Sequence, residues 1–124
     1  MQAAPVYIVD DSKIQVIILE KILLEEGFAV HTFSNGFDLI ENLKKESRLP
    51  LIISDIDMPG MDGFELIENI QKSSCCHNIP FFFISSNNDS SIVERAHKMG
   101  ARSFIEKPFK SDLLLQLVKE TLPN

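Results

Sequence analysis

Along the chain, short apolar runs alternate with longer stretches in which apolar residues recur every three or four positions. The runs are VYIV (6–9), AVHTF (29–33), LIIS (51–54), FFFIS (81–85) and SFI (103–105). The stretches of helical period that follow them cover 12–26, 36–46, 63–73, 90–99 and 111–121. This pattern predicts strand then helix, five times over. In the first helix Ile14, Ile17, Ile18 and Leu24 recur at three-to-four spacing. Ser12 is placed to cap its start, and Gly27 to take the left-handed conformation just past its end. The last helix repeats the arrangement, with Ser111 as cap and Leu114, Leu117 and Val118 on one face. LIIS and FFFIS are apolar without alternation, as strands covered on both faces should be, and Phe81, Phe82 and Phe83 are expected in the core. Strict alternation of strands and helices implies an α/β fold with an open, doubly wound, five-stranded parallel sheet.

Composition adds boundaries to this picture. A chain of 124 residues with 44% hydrophobic residues suits one domain, 1–124, with no linker. Twelve basic against eighteen acidic residues give a net charge of −6, which argues against non-specific binding to nucleic acid or to an anionic membrane. No apolar run approaches the ~20 residues of a membrane span, and MQAAP lacks the features of a signal peptide, so a cytoplasmic location is expected. Cys75 and Cys76 are adjacent and cannot staple distant segments; they are expected to stay as thiols. Past the fifth helix only TLPN follows, so an output is expected to lie in other proteins or in a longer chain of which this is a piece.

In doubly wound sheets, ligands bind beyond the carboxyl ends of the strands. The residues there are Asp10 and Asp11 after the first strand, Ser34 after the second and Asp55 after the third. Ser85 and Ser86 follow the fourth, and Glu106 and Lys107 the fifth. Carboxylates gathered at one edge repel one another, and a bound divalent cation resolves the repulsion without loss of charge. Mg2+ suits the set, because it takes one or two carboxylates, several waters and phosphate oxygens. A lysine and a serine opposite would hold the rest of a phosphoryl group. With its oxygens neutralised, phosphorus is open to in-line attack by a carboxylate, giving an acyl phosphate.

The residues VDDS (9–12), DIDMPGMDG (55–63), FFFISS (81–86) and GARSFIEKPF (100–109), in this order and spacing, resemble the receiver domain of two-component response regulators, including the single-domain receivers of chemotaxis. The resemblance spans nearly the whole chain. It implies a flavodoxin-like (βα)5 fold with strand order 2-1-3-4-5. It implies Asp55 as phosphoacceptor, Asp11 as a direct Mg2+ ligand, Asp10 acting largely through water, and the Asp57 carbonyl completing the protein ligands, with Mn2+ as an alternative metal. Lys107 would pair with the phosphoryl group, its peptide to Pro108 would be cis, and Ser85 would move in to bond a phosphoryl oxygen. Phe104 matches the aromatic switch position and, lacking a hydroxyl, would report activation by burial alone. Asp57 and Asn87 match positions that tune phosphoryl lifetime. The implied partners are a histidine kinase or histidine phosphotransfer protein as donor, and a downstream output protein or domain reading the face of helix 4, strand 5 and helix 5. Catalysis would be confined to the chain's own aspartyl phosphorylation and dephosphorylation.

Two other readings compete. DID (55–57) behind an apolar strand resembles the nucleophile and acid-base pair of haloacid dehalogenase-like phosphatases, but those carry the pair on the first strand and the metal-binding acids later, the reverse of the order here. A docking module independent of phosphorylation would have no need of Asp10, Asp11, Asp55, Ser85 and Lys107 together. Asp62 reads as a helix cap, and His31, His77 and His97, without metal-ligand spacing, as surface or packing residues. GFDLIENL at 36 and GFELIENI at 63 both read as ordinary amphipathic helix starts.

Overall fold

The computed structural model describes residues 4–73 and 78–122; Cys75, Cys76 and His77 lie outside them. The elements follow in the expected order: β1 (Val6–Val9), α1 (Lys13–Glu25), β2 (Val30–Phe33), α2 (Gly36–Leu43), β3 (Leu51–Asp55), α3 (Gly63–Lys72), β4 (Phe81–Ser85), α4 (Ser90–Lys98), β5 (Ser103–Glu106) and α5 (Ser111–Thr121). All five strands pair in parallel, in the order β2-β1-β3-β4-β5. The chain is thus α/β with a doubly wound, flavodoxin-like sheet. β1, β3 and β4 are buried along their whole length, because helices cover both faces of the sheet centre. β2 and β5, at the edges, are partly exposed.

The pleat divides the core in two. Val6, Ile8, Leu51, Ile53, Phe82, Ile84 and Ile105 face α1 and α5, where Leu19, Leu23, Leu114 and Val118 are fully buried. Tyr7, Val9, Ile52, Phe81 and Phe83 face α2, α3 and α4. The Tyr7 hydroxyl in this second layer donates to Glu46 Oε1 at 2.9 Å while accepting from Asn42 Nδ2 at 2.9 Å. Glu46 in turn pairs with Arg48 Nε at 3.3 Å, so the connection from α2 to β3 is pinned to the buried end of β1.

The starts of α1, α2 and α3 follow local capping rules, whereas those of α4 and α5 carry no side-chain cap. Ser12 Oγ accepts from Gln15 N–H at 3.3 Å, and Gly27 sits past α1 at φ +89°. Asp62 and Glu65 form a reciprocal capping box on α3. Ser111, expected to cap α5, is instead its first helical residue; Lys110 occupies the cap position without a side-chain bond.

The residues whose spacing marks α1 as a helix are not the ones it buries. Ile14 (73% exposed), Ile17 (62%), Ile18 (44%) and Leu24 (52%) look outward, while Leu19 and Leu23 are buried with Val16 and Ile22 beside them. The helix is apolar on every side, so spacing fits two opposite faces equally well. Only the sheet selects between them.

Candidate active site

β1 and β3 are neighbours, yet the chain leaves β1 for β2 on one side and returns to β3 on the other, so their carboxyl ends open onto the crevice of the fold. Asp10 follows β1, and Asp55 ends β3. Both are buried, at 2% and 7% exposure, while Asp11 is exposed. Each of the three offers a carboxylate oxygen within 4.8 Å of the others. Such a set, two acids buried and one open to solvent, fits a hard divalent cation that keeps waters on its free side.

Lys107, brought in by the end of β5, is half-buried. Its Nζ lies 3.2 Å from Asp10 Oδ2 and 3.6 Å from Asp55 Oδ1. The Lys107–Pro108 peptide is cis. Asp10 Oδ1 also accepts from Ser12 N–H at 2.9 Å, so both of its oxygens are engaged. Asp55 Oδ1 accepts from Ile56 N–H at 2.8 Å. Burial, and then the Asp10 carboxylate, push the Asp55 carboxyl up to about 6, against the opposing pull of Lys107 and the Ile56 N–H. Asp55 is therefore a carboxylate held at a cost, and a cation in the crevice would relieve it.

The remaining expected site residues lie on β4, on β5 and on the loops that follow β3 and β4. Ser85, buried at the end of β4, accepts from Asn87 N–H at 3.0 Å, so its hydroxyl oxygen is turned to the loop that follows. Asn87 is exposed, as is Asp57 on the β3–α3 loop. Phe104 is half-buried on β5 and packs against the core layer beneath α4. His31 packs its ring 5.3 Å from that of Tyr7, and His97 is exposed on α4.

Two further residues touch the centre and escaped the sequence reading. Ser54, fully buried, donates its hydroxyl to the Asp55 carbonyl at 2.7 Å. Gly63 opens α3 directly against the same carbonyl, where any Cβ would collide with the Asp55 oxygen and crowd Phe83. The signal available for Ser54 was a hydroxyl in an otherwise apolar run.

A family model described as the response regulator receiver domain matches residues 6–119. The chain belongs to this family. Among its relatives, the chemotaxis protein CheY of Bacillus subtilis (strain 168) is 33% identical over 118 residues, which cover 94% of the receiver described here and 96% of CheY. The DNA-binding transcriptional regulator NtrC of Escherichia coli (strain K12) is 32% identical over 125 residues, covering 100% of this receiver but 26% of NtrC. This receiver thus spans about a quarter of the NtrC relatives it matches. A crystal structure of the signal receiver domain of a signal transduction histidine kinase from Syntrophus aciditrophicus superposes with a TM-score of 0.85 at 34% identity, covering 95% of this chain and 89% of that one. Family membership favours neither the phosphatase nor the docking-only reading. Among the described residues, no helix is long and apolar enough to cross a membrane.

Proposed function

We propose that this receiver accepts a phosphoryl group on Asp55 from a phosphohistidine of a histidine kinase or histidine phosphotransfer protein. The Asp55 carboxylate attacks phosphorus in line, the P–N bond breaks, and the imidazole leaves. Asp10, Asp11, Asp55 and the Asp57 carbonyl would hold Mg2+, or Mn2+ in its place; the ion, when bound, neutralises phosphoryl oxygens. Lys107 holds a further phosphoryl oxygen as a point charge, and for that its ammonium must share or leave Asp10. Ser85 moves in to donate its hydroxyl proton to the third oxygen while its oxygen still accepts from the Asn87 amide. That displacement would draw the β4–α4 loop toward the site and let Phe104 sink inward, altering the surface of α4, β5 and α5 read by an output protein or domain. Asp57 and Asn87, exposed at the rim, set the lifetime of the acyl phosphate through their access to attacking water. We place the whole chain, 1–124, in one such unit acting in the cytoplasm, with no direct contact to nucleic acid.

The observation that carries this reading is the buried Asp55 carboxylate, 3.6 Å from Lys107 and clustered with Asp10 and Asp11. Intact mass after incubation with a small phosphodonor and Mg2+ tests it. One added phosphoryl group is expected, lost in Asp55→Asn and retained in Asp57→Asn. Labelling that survives Asp55→Asn but not Asp57→Asn refutes the assignment.

A further inference from the structure

The carbonyl oxygen of Asp55 and the amide N–H of Ile56 belong to one peptide group, and that group is planar. One end of the plane accepts the Ser54 hydroxyl at 2.7 Å. The other end donates to the Asp55 carboxylate, Ile56 N–H to Oδ1 at 2.8 Å. A torque on either end is therefore felt at the other. Turning the carbonyl away from Ser54 turns the N–H away from the carboxylate.

The next peptide is anchored as well, because Gly63 N–H donates to the Ile56 carbonyl at 2.8 Å and the bare Gly63 Cα leaves room for the Asp55 oxygen. The register Val9, Ser54, Phe83 across three strands sets Ser54 in the middle of the sheet, at 0% exposure. Water has no access to replace its bond there. A buried hydroxyl needs some acceptor in any case. This acceptor, though, is the far end of the peptide that grips the reactive side chain.

We infer that Ser54 is a positioning residue for phosphoryl transfer: its hydroxyl fixes the 55–56 peptide plane so that Ile56 N–H holds Asp55 Oδ1 and leaves Oδ2 as the oxygen that bonds to phosphorus. The inference rests on Asp55 being the phosphoacceptor, and it adds the device that aims it. A carboxylate free to rotate about its side-chain torsions spends less time in line with the P–N bond, and small misplacements of a reacting atom are costly in rate.

The test compares wild type, Ser54→Ala and Ser54→Thr, which keeps the hydroxyl. Two quantities are read: the initial rate of phosphorylation by a small phosphodonor with Mg2+, by intact mass, and the Ile56 amide proton shift in the metal-free protein, by 15N-edited NMR. Ser54→Ala is expected to slow labelling about five- to tenfold, the loss of one hydrogen bond's worth of alignment, and to move the Ile56 proton upfield. Ser54→Thr is expected to restore both. A Ser54→Ala protein that labels at the wild-type rate, or whose Ile56 resonance stays in place, overturns the inference. So does a defect that Ser54→Thr shares in full while its Ile56 resonance matches wild type. Should wild type itself take no label at Asp55, the phosphoacceptor reading fails, and the NMR comparison still decides whether Ser54 sets the 55–56 plane.

Discussion

Lys107 lies closer to Asp10, at 3.2 Å, than to Asp55, at 3.6 Å, although Asp55 is the carboxylate it is expected to serve. In this resting arrangement the ammonium does for the acidic crevice what a divalent cation does when bound: it offsets buried negative charge. The side chain of Asp10 is only 1% exposed and that of Lys107 20%, so solvent screens the pair weakly.

Lys107→Met should therefore destabilise the metal-free protein by about 1–3 kcal/mol at pH 7.5, because a buried carboxylate loses its counter-charge. Saturating Mg2+ should close most of that gap by replacing the lost cation. Thermal unfolding of both proteins in chelator and in Mg2+ checks this. A deficit of equal size in both conditions would mean that Lys107 stabilises by packing alone.

Asp55 supplies a pH dependence of known sign. Its carboxyl is raised from 3.8 to about 6, so the folded state binds the proton more tightly than the unfolded chain does. The corresponding stability is fully present below about pH 4 and is lost as pH rises through about 6. Asp55→Asn, which cannot ionise, should be more stable than wild type by about 1–3 kcal/mol at pH 7.5 without metal, with the difference shrinking toward pH 4. Urea unfolding in chelator across pH 4 to 7.5 measures it, and a difference that grows toward acid would contradict the sign.

The buried end of β1 predicts an acid-sensitive anchor away from the crevice. Burial would raise the Glu46 carboxyl, but the Tyr7 hydroxyl and Arg48 outweigh it and hold the group below its ordinary value. Its contribution is then present above the ordinary carboxylate pKa and lost as pH falls through the lowered one. Burial and then Glu46 push Tyr7 itself up to about 12, so its phenol stays a donor throughout. Tyr7→Phe should cost about 1–2 kcal/mol at neutral pH and flatten the acid limb of the stability profile. A parallel, merely lowered profile would show that Glu46 keeps its environment without the phenol.

The two faces of α1 can be told apart by substitution. Leu19→Ala should cost about 2–5 kcal/mol, as buried leucines do, whereas Ile17→Ser should change stability by about 0.5 kcal/mol or less. Equal losses at the two positions would reverse the assignment of the inner face.

Much of this was legible without coordinates, for reasons that are local. Strand and helix existence depends on a few neighbouring residues, so the alternation of VYIV, LIIS and FFFIS with stretches of helical period placed all five pairs within a few residues of their observed bounds. Asp62 was read as a cap because it stands just before the helical run GFELIENI, and the structure adds Glu65 as its partner in a capping box. Placement at strand ends singled out Asp10, Asp11, Asp55 and Lys107, since in a parallel sheet all strands end on the same side.

What the chain did not reveal by itself was how each element is turned against its neighbours. GFDLIENL and GFELIENI start two helices in the same way, yet Phe37 is 57% exposed and Phe64 3%. α3 docks Gly63 against the Asp55 carbonyl at the sheet centre, so Phe64 meets the Phe83 ring at 5.1 Å; Phe37 has Gly60 of a loop beside it instead. The same dependence on neighbours hid the inner face of α1, the preference of Lys107 for Asp10, and the grip of Ser54 on the Asp55 peptide. Sequence sets which residues reach the crevice, because periodicity and strand direction are properties of a segment. Which oxygen bonds to which donor is settled only when five strands and their helices share one volume, because burial and distance belong to pairs of segments and are written in neither alone.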